Sequence, residues 1–125
     1  MNTINDPAAV VQRQLEAYNA HDLEALMSTY ADTARQFEHP AQLLASGPAE
    51  IRRRFQARFQ EPNLHARLLG RIVSGNIVID HEQVTRTFPE GPGHLELVAI
   101  YEVQQGKIAN AWFMPGAKTL AVTSQ

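Results

Sequence analysis

The chain has 125 residues, of which 44% are apolar and 19% are charged, and its formal net charge is −2. This length and apolar content suit one folded domain and exclude a disordered chain. The sequence contains no cysteine, which excludes disulfides, cysteine nucleophiles and thiolate metal sites, and the absence of a basic arm argues against nucleic acid as a partner.

The N-terminal segment and the hydropathy of the chain predict a cytoplasmic protein with no membrane partner. Residues 1–7 are polar and lack the apolar stretch of a signal peptide. The longest apolar runs are far shorter than a membrane span, and the lack of cysteine fits a reducing compartment. We expect a single domain over residues 1–125, with a core at residues 7–116 and a loosely held tail at residues 117–125.

Two helices are predicted before the first strand, separated by a break at residues 19–22. The first begins at Asp6-Pro7, because aspartate caps free amides and proline loses no bond at the first helical position. Gln14 lies at the edge of its apolar face, and Asp22 can cap the second helix. The apolar residues at helical spacing are Val11, Leu15 and Tyr18, then Leu23, Leu26, Met27 and Tyr30.

A polar strand and a third helix are predicted next. The strand covers residues 31–39 and stops at Pro40, which cannot continue a central ladder. Residues 42–45 form a short returning strand, and Pro48 begins the third helix. We interpret the arginines of this helix as a solvated face; they are Arg52, Arg53, Arg54 and Arg58.

The remainder of the chain switches to period two with turn residues between the segments. The predicted strands are residues 64–73, 77–88, 94–104 and 107–114. This order predicts an α+β cone, in which three N-terminal helices pack on a strongly curved, mainly antiparallel sheet and leave a pocket between them. A half-apolar sheet exposed to water is unfavourable, so we expect a homodimer through the outer face of the sheet.

Short motifs resemble those of the NTF2-like superfamily, in its SnoaL-like branch. They are AVVQR at residues 9–13, NAHDL at 19–23, YAD at 30–32, EHP at 38–40, SG at 46–47 with IR at 51–52, and GKI at 106–108. The likeness covers residues 9–116, and its first part is similar to Δ5-3-ketosteroid isomerases. The resemblance implies a conical fold, a deep apolar pocket for a small organic ligand and usually a homodimer.

The sequence departs from the ketosteroid isomerases at all three chemical positions. Gln14 aligns with their tyrosine donor, and His39 aligns with their aspartate base. Their protonated aspartate aligns with Ala99 or Ile100, neither of which can donate a hydrogen bond. The standard steroid isomerisation is therefore not expected.

His39 is the candidate acid–base residue, because an imidazole has an ordinary pKa near ~6.5 and can move protons at neutral pH. Gln14 is the candidate donor to a developing oxyanion. The alternative for His39 is a hydrogen-bonded histidine at a strand end. The predicted pocket-lining residues are Tyr18, Phe37, Tyr101, Trp112 and Met114.

The run Asp80-His81-Glu82 is a second polar cluster, in the middle of an apolar strand. Alternation places Asp80 and Glu82 on one side and His81 on the other, and it leaves open which side faces the pocket. SnoaL-like cyclases resemble this in using a histidine and an acid from strands, so His81 is a catalytic candidate. The alternative for His81 is a polar contact across the sheet of a dimer. The histidines lack ligand spacing, so we expect no metal and no cofactor.

Two main functions remain open at this point. One is an enzyme of the isomerase or cyclase type with an apolar pocket and His39 as acid–base. The other is a noncatalytic module for ligand binding or dimerisation, whose pocket is small or filled by side chains. A third, epoxide hydrolysis, requires an arginine between two acids, and only Arg35 and Glu38 are close in sequence.

Overall fold

A computed structural model of the protein describes residues 6–121, which form three helices and six strands. The elements are α1 (Pro7–Asn19), α2 (Leu23–Met27), β1 (Tyr30–Glu38), β2 (Gln42–Ser46), α3 (Pro48–Arg58), β3 (His65–Ser74), β4 (Ile77–Phe88), β5 (Gly91–Gln104) and β6 (Lys107–Leu120). This architecture confirms the predicted α+β cone. Across residues 6–121, every helix is too short or too polar to cross a bilayer.

The six strands form one curved sheet in the order β2-β1-β6-β5-β4-β3. Strands β3 to β6 pair antiparallel with one another in chain order, as does β1 with β2. The pair β1·β6 is parallel, and α3 and four strands, β2 to β5, lie between these two segments in the chain. In the part of the chain that the structure describes, the helices pack against one face of the sheet, and no element covers the other face.

Each helix begins where the local chemistry predicts. The Asp6 carboxylate accepts the Ala8 amide at 3.0 Å ahead of Pro7, and the Asp22 carboxylate accepts the Ala25 amide at 3.0 Å. Gly47 precedes α3 with φ of 85°, a conformation that favours glycine.

The break after α1 attaches the helix to the sheet. The Asn19 side chain donates from Nδ2 to the carbonyl of Ala66 at 2.9 Å and accepts the amide of Ala66 at 2.8 Å. These paired bonds fix the end of α1 against the start of β3. Asn19 is the first residue of the NAHDL motif, and these bonds give it a structural role. They fix the position of α1, which forms one wall of the cavity described below.

The last two strands are longer than predicted. The pairing of β5 with β6 extends to Gly93 and Leu120, so residues 117–120 belong to the sheet. The expected loose tail was therefore wrong for these residues, because pairing with a distant strand satisfies their backbone groups. The two strands approach closely at Gly93, and glycine is required there because a side chain would collide with the backbone of Thr119. Residues 1–5 and 122–125 lie outside the described residues.

Two groups of buried residues form the core on the inner face of the sheet. The larger includes Val10, Leu26, Ile51, Val78, Tyr101 and Ile108. The smaller consists of Leu15, Leu64, Ala66 and Val84. Partly buried Tyr18, Phe59 and Leu97 contact both groups. The helices thus bury apolar side chains against the sheet without closing the space between the two groups.

Candidate active-site cavity

A cavity of about 250 Å³ lies between the helices and the inner face of the sheet. Helices α1 and α3 and all six strands contribute to its walls. The apolar part of the lining includes Leu15, Phe55, Val84, Leu95, Leu97 and Phe113. The rest of the lining is polar or charged and includes three arginines and two glutamates. An apolar wall combined with polar groups that can orient a ligand suits a small organic molecule.

Glu82 is a buried carboxylic acid that faces the cavity from β4. It lies opposite Leu97 of β5 and is 4% exposed. Within residues 6–121 its carboxyl group forms no ion pair or side-chain hydrogen bond. Burial, followed by the negative charge of Asp80, raises the pKa of Glu82 to about 7, and Arg71 opposes this rise. A carboxyl with this pKa can both accept and donate a proton at neutral pH.

Buried Asp80 and partly buried Arg71 form an ion pair next to Glu82. Arg71 on β3 donates from Nε and Nη2 to the two Asp80 carboxylate oxygens at 2.7 and 2.9 Å. Its Nη1 donates to Gln12 Oε1 at 3.0 Å. The guanidinium is therefore engaged on two sides and makes no hydrogen bond to Glu82. The Asp80 carboxylate contributes to the raised pKa of Glu82, because a nearby like charge disfavours ionisation.

Three neutral donors share the lining with Glu82. Gln14 on α1 is 5% exposed, and Tyr101 on β5 is 3% exposed. Tyr18 completes the group from α1. Burial raises the pKa of Tyr18 and of Tyr101 above the ordinary value, so both hydroxyls stay protonated at neutral pH. The cavity thus combines one titrating carboxyl with donors suited to a developing oxyanion.

The arginines of α3 do not form one solvated face. Arg53 is exposed, and Arg52 pairs with Glu24 at 2.6 Å on the surface. Arg54 and Arg58, which are one helical turn apart, line the cavity. The interpretation of the whole run as solvated was therefore wrong for these two residues, because the turn of the helix that places Phe55 in the core also brings them towards the sheet.

A family model described as SnoaL-like domain matches residues 11–111, which is most of the chain. The chain belongs to the SnoaL-like family. Comparison of the sequence with curated proteins gives no match.

Solved structures similar to this SnoaL-like chain share its fold at low identity. An uncharacterised cystatin-fold protein from Novosphingobium aromaticivorans has a TM-score of 0.79 at 24% identity, with 86% of this chain and 97% of that chain covered. A proposed polyketide cyclase from Sinorhizobium meliloti has a TM-score of 0.70 at 23% identity, with coverage of 85% and 94%. A proposed ketosteroid isomerase from Kribbella flavida has a TM-score of 0.75 at 14% identity, with coverage of 94% and 83%. These likenesses establish the fold alone.

The two candidate histidines of the SnoaL-like chain lie outside the cavity lining. His39 follows β1 and is exposed, whereas Gln36, two residues before the end of that strand, is buried on the inner face. His81 is also exposed, and its Nε2 lies 3.1 Å from Glu96 Oε1. The structure therefore gives no support to an acid–base role for either histidine, because the pleat directs the alternate residues inward.

The predicted pocket-lining residues divide between the two faces. Tyr18 and Tyr101 are in the cavity, and so is the predicted donor Gln14. Phe37, Trp112 and Met114 are outside it, with the rings of Phe37 and Trp112 stacked at 5.9 Å. These three side chains therefore do not fill the cavity. The alternation of side chains along β6 explains the positions of Trp112 and Met114, because Phe113 lies between them in the sequence and faces the cavity.

Glu82 and Arg54 are the functional candidates that sequence reasoning missed. The available signal for Glu82 was its alternation with His81 among apolar neighbours, which separated the two faces without identifying the inner one. For Arg54 the signal was its position next to Phe55 in the core stripe. No group of three potential metal ligands is found within residues 6–121, and the expected absence of metal and cofactor stays a prediction.

Proposed function

We propose that this SnoaL-like protein binds a small organic molecule in the cavity and that Glu82 transfers a proton to or from it. The observation that carries this proposal is a buried carboxyl group that has no ion-pair or side-chain hydrogen-bond partner within residues 6–121 and lines a cavity with an apolar wall. The reaction class is isomerisation or cyclisation through an enol or enolate. The acid–base role expected of His39 is thereby assigned to Glu82.

The ionised form of Glu82 would remove a proton from a carbon next to a carbonyl group. The electron pair of that C–H bond becomes a carbon–carbon double bond, and the carbonyl oxygen becomes an enolate oxygen. If the substrate is a β,γ-unsaturated carbonyl compound, this enolate is a dienolate, and protonated Glu82 returns the proton to its γ-carbon. The carbonyl group re-forms and the original carbon–carbon double bond moves into conjugation with it, which completes an isomerisation with no other reactant. A pKa of about 7 supports this role, because both protonation states are populated at neutral pH.

The donors of the cavity would stabilise the enolate oxygen. Tyr101 and Gln14 are buried in the same lining, and Tyr18 is the third candidate. Hydrogen bonds to a developing negative charge are strong when water is excluded, so preorganised neutral donors favour this step. The donors differ from those of the ketosteroid isomerases, in which a protonated aspartate has a similar role.

The test is solvent exchange of an acidic C–H group. The probe is 2-tetralone in deuterated buffer, and the readout is loss of its α-proton NMR signal with wild-type protein, Glu82→Gln and Glu96→Gln. Glu96 is an exposed carboxylate on the outer face and serves as the control. We expect wild type and Glu96→Gln to accelerate exchange, and Glu82→Gln to lose about 100-fold or more of the acceleration.

The same experiment separates the enzyme from the noncatalytic alternative. Line broadening of the probe without accelerated exchange would favour a binding module. Equal acceleration by wild type and Glu82→Gln would refute the role of Glu82. The volume of the cavity supports a ligand-binding function in either case, because the space is not filled by side chains.

We also propose that the protein is a cytoplasmic homodimer that associates through the outer face of the sheet. The stacked rings of Phe37 and Trp112 and exposed apolar residues such as Ile72 support this assembly, because apolar surface favours burial. Light scattering after size exclusion would determine the oligomeric state. Both statements remain predictions, as does the expectation that the partner is a small molecule rather than nucleic acid.

A further inference from the structure

The lining of the cavity contains more guanidinium groups than nearby carboxylates pair with. Arg54 and Arg58 of α3 and Arg86 of β4 all belong to the lining. Arg86 donates to both carboxylate oxygens of Glu61, at 3.0 and 2.7 Å. The Arg58 Nε lies 3.8 Å from the same Glu61. The Glu61 carboxylate therefore pairs with both Arg58 and Arg86, and Arg54 is the third arginine of the lining.

Arg54 has no carboxylate within 4.0 Å among residues 6–121, and its partner is a neutral amide. Its Nη1 donates to Gln36 Oε1, and Gln36 Nε2 donates to Tyr30 Oη at 3.3 Å. Gln36 is completely buried, so this chain of bonds holds the guanidinium in place from the inner face of the sheet. Burial and the charge of Arg58 lower the pKa of Arg54. The positive charge is oriented, partly desolvated and uncompensated, which favours an added anion.

The carboxyl groups of the lining do not neutralise Arg54. Glu38 lines the cavity from β1 but is exposed and makes no ion pair within the described residues. Glu82 belongs to β4, whereas Arg54 belongs to α3, so the two groups come from the two layers that enclose the cavity. Within residues 6–121, Glu61 is the carboxylate that pairs with Arg58 and Arg86, and Arg54 has no ion-pair partner. Positive charge is therefore in excess beside α3.

We propose that the ligand is a small organic anion whose carboxylate or phenolate binds Arg54 while its apolar body contacts Phe55, Leu97 and Phe113. This inference rests on the proposed function only in taking the cavity as the ligand site. A guanidinium suits a planar carboxylate because it can donate two parallel hydrogen bonds. The cavity of about 250 Å³ lies below the range of roughly 300–1,000 Å³ for drug-sized ligands, which favours a body of one or two rings.

Anchoring at Arg54 would determine which atom reaches Glu82. The anion would bind beside α3, and the rings would lie across the apolar wall towards β4. An acidic C–H group on that side then meets the carboxyl of Glu82. Positioning of this kind lowers the barrier without adding a new chemical group.

The test compares the affinities of trans-cinnamate and trans-cinnamamide, which have the same shape and differ in charge. Binding is measured by ligand-observed NMR titration at pH 7 with wild type, Arg54→Gln and Arg53→Gln. Arg53 is the matched control, because it is the exposed neighbour on the same helix. We expect wild type and Arg53→Gln to bind cinnamate about tenfold or more tightly than the amide, and Arg54→Gln to lose this preference.

Two further measurements keep the test decisive if Arg54→Gln does not fold, as judged by circular dichroism. Arg54→Lys is expected to retain part of the preference, since it keeps the charge without the planar donors. For wild type, added salt should weaken binding of cinnamate and not of the amide. Equal affinities for the two probes, no binding of cinnamate at millimolar concentration, or a preference unchanged in Arg54→Gln would overturn the proposal.

The outcome is independent of catalysis by Glu82. Because binding needs no turnover, Glu82→Gln should keep the preference for cinnamate. A preference for the anion without any solvent exchange would leave this inference standing and refute the proposed acid–base function. Accelerated exchange of neutral 2-tetralone with no preference for cinnamate would support the acid–base function and overturn this inference.

Discussion

Replacement of Glu82 by glutamine should stabilise the protein at alkaline pH. Glutamine has nearly the shape of the protonated carboxyl and cannot ionise. The wild-type side chain is 4% exposed, so its ionised form is poorly solvated in the folded protein. Burial and Asp80 raise its pKa from 4.5 to about 7. The folded protein therefore retains a proton between these pH values that the unfolded chain has released.

The sign and the size of the effect follow from this difference. As pH rises from 4.5 through 7, the unfolding free energy of wild type falls, because the unfolded state binds fewer protons than the folded state. A rise in pKa from 4.5 to about 7 corresponds to about 3 kcal/mol above pH 7. Glu82→Gln should gain about this much over wild type at about pH 8.5, and less than about 1 kcal/mol at about pH 5.

Urea unfolding followed by circular dichroism at both pH values measures this gain. For a domain of this size, the alkaline gain corresponds to a rise of roughly 10 °C in melting temperature. Glu38→Gln is the matched control, since Glu38 lines the same cavity but is exposed to water. We expect its gain at pH 8.5 to be much smaller than that of Glu82→Gln. A gain from Glu82→Gln that is equal at both pH values, or a loss at pH 8.5, would refute the reasoning.

Two further predictions concern the groups that support the cavity. Asp80→Asn should lower the pKa of Glu82, because the substitution removes a nearby negative charge. The midpoint of the pH dependence of 2-tetralone exchange should then move to lower pH, and an unchanged midpoint would contradict the assigned cause. Asn19→Ala should reduce the free energy of unfolding by about 1–3 kcal/mol, since the amide and the carbonyl of Ala66 both lose their hydrogen-bond partner. Urea unfolding measures this change. An effect near zero would mean that water replaces the Asn19 side chain.

Much of the architecture could be predicted from local chemistry. Asp6, Asp22 and Pro48 mark helix starts, and β4 runs from Ile77 to Phe88 as its alternation indicates. These features depend on capping and periodicity, which act over a few residues. The continuation of β6 to Leu120 depends on pairing with a distant strand, so residues 117–120 contain no local signal for it.

The candidate site was less predictable, because a strand pattern separates two faces without identifying the inner one. The interpretations of His39 and His81 as catalytic required the opposite face from the one that encloses the cavity. The register of the β1·β2 pair shifts between Gln36 and Phe37. Such an irregularity changes which residues face inward, so the inner face of a strand cannot be assigned by counting alternate residues from a distant position.

The sequence by itself determined the elements, their order, the α+β cone and the membership of Asp80 and Glu82 in one face of β4. The tertiary structure decided that this face is enclosed, since only the packing of α1 and α3 against the sheet excludes water from one side. The same packing separates Arg54 from the exposed Arg53. Charge and burial at a cavity are properties of several distant segments together, and no local pattern contains them.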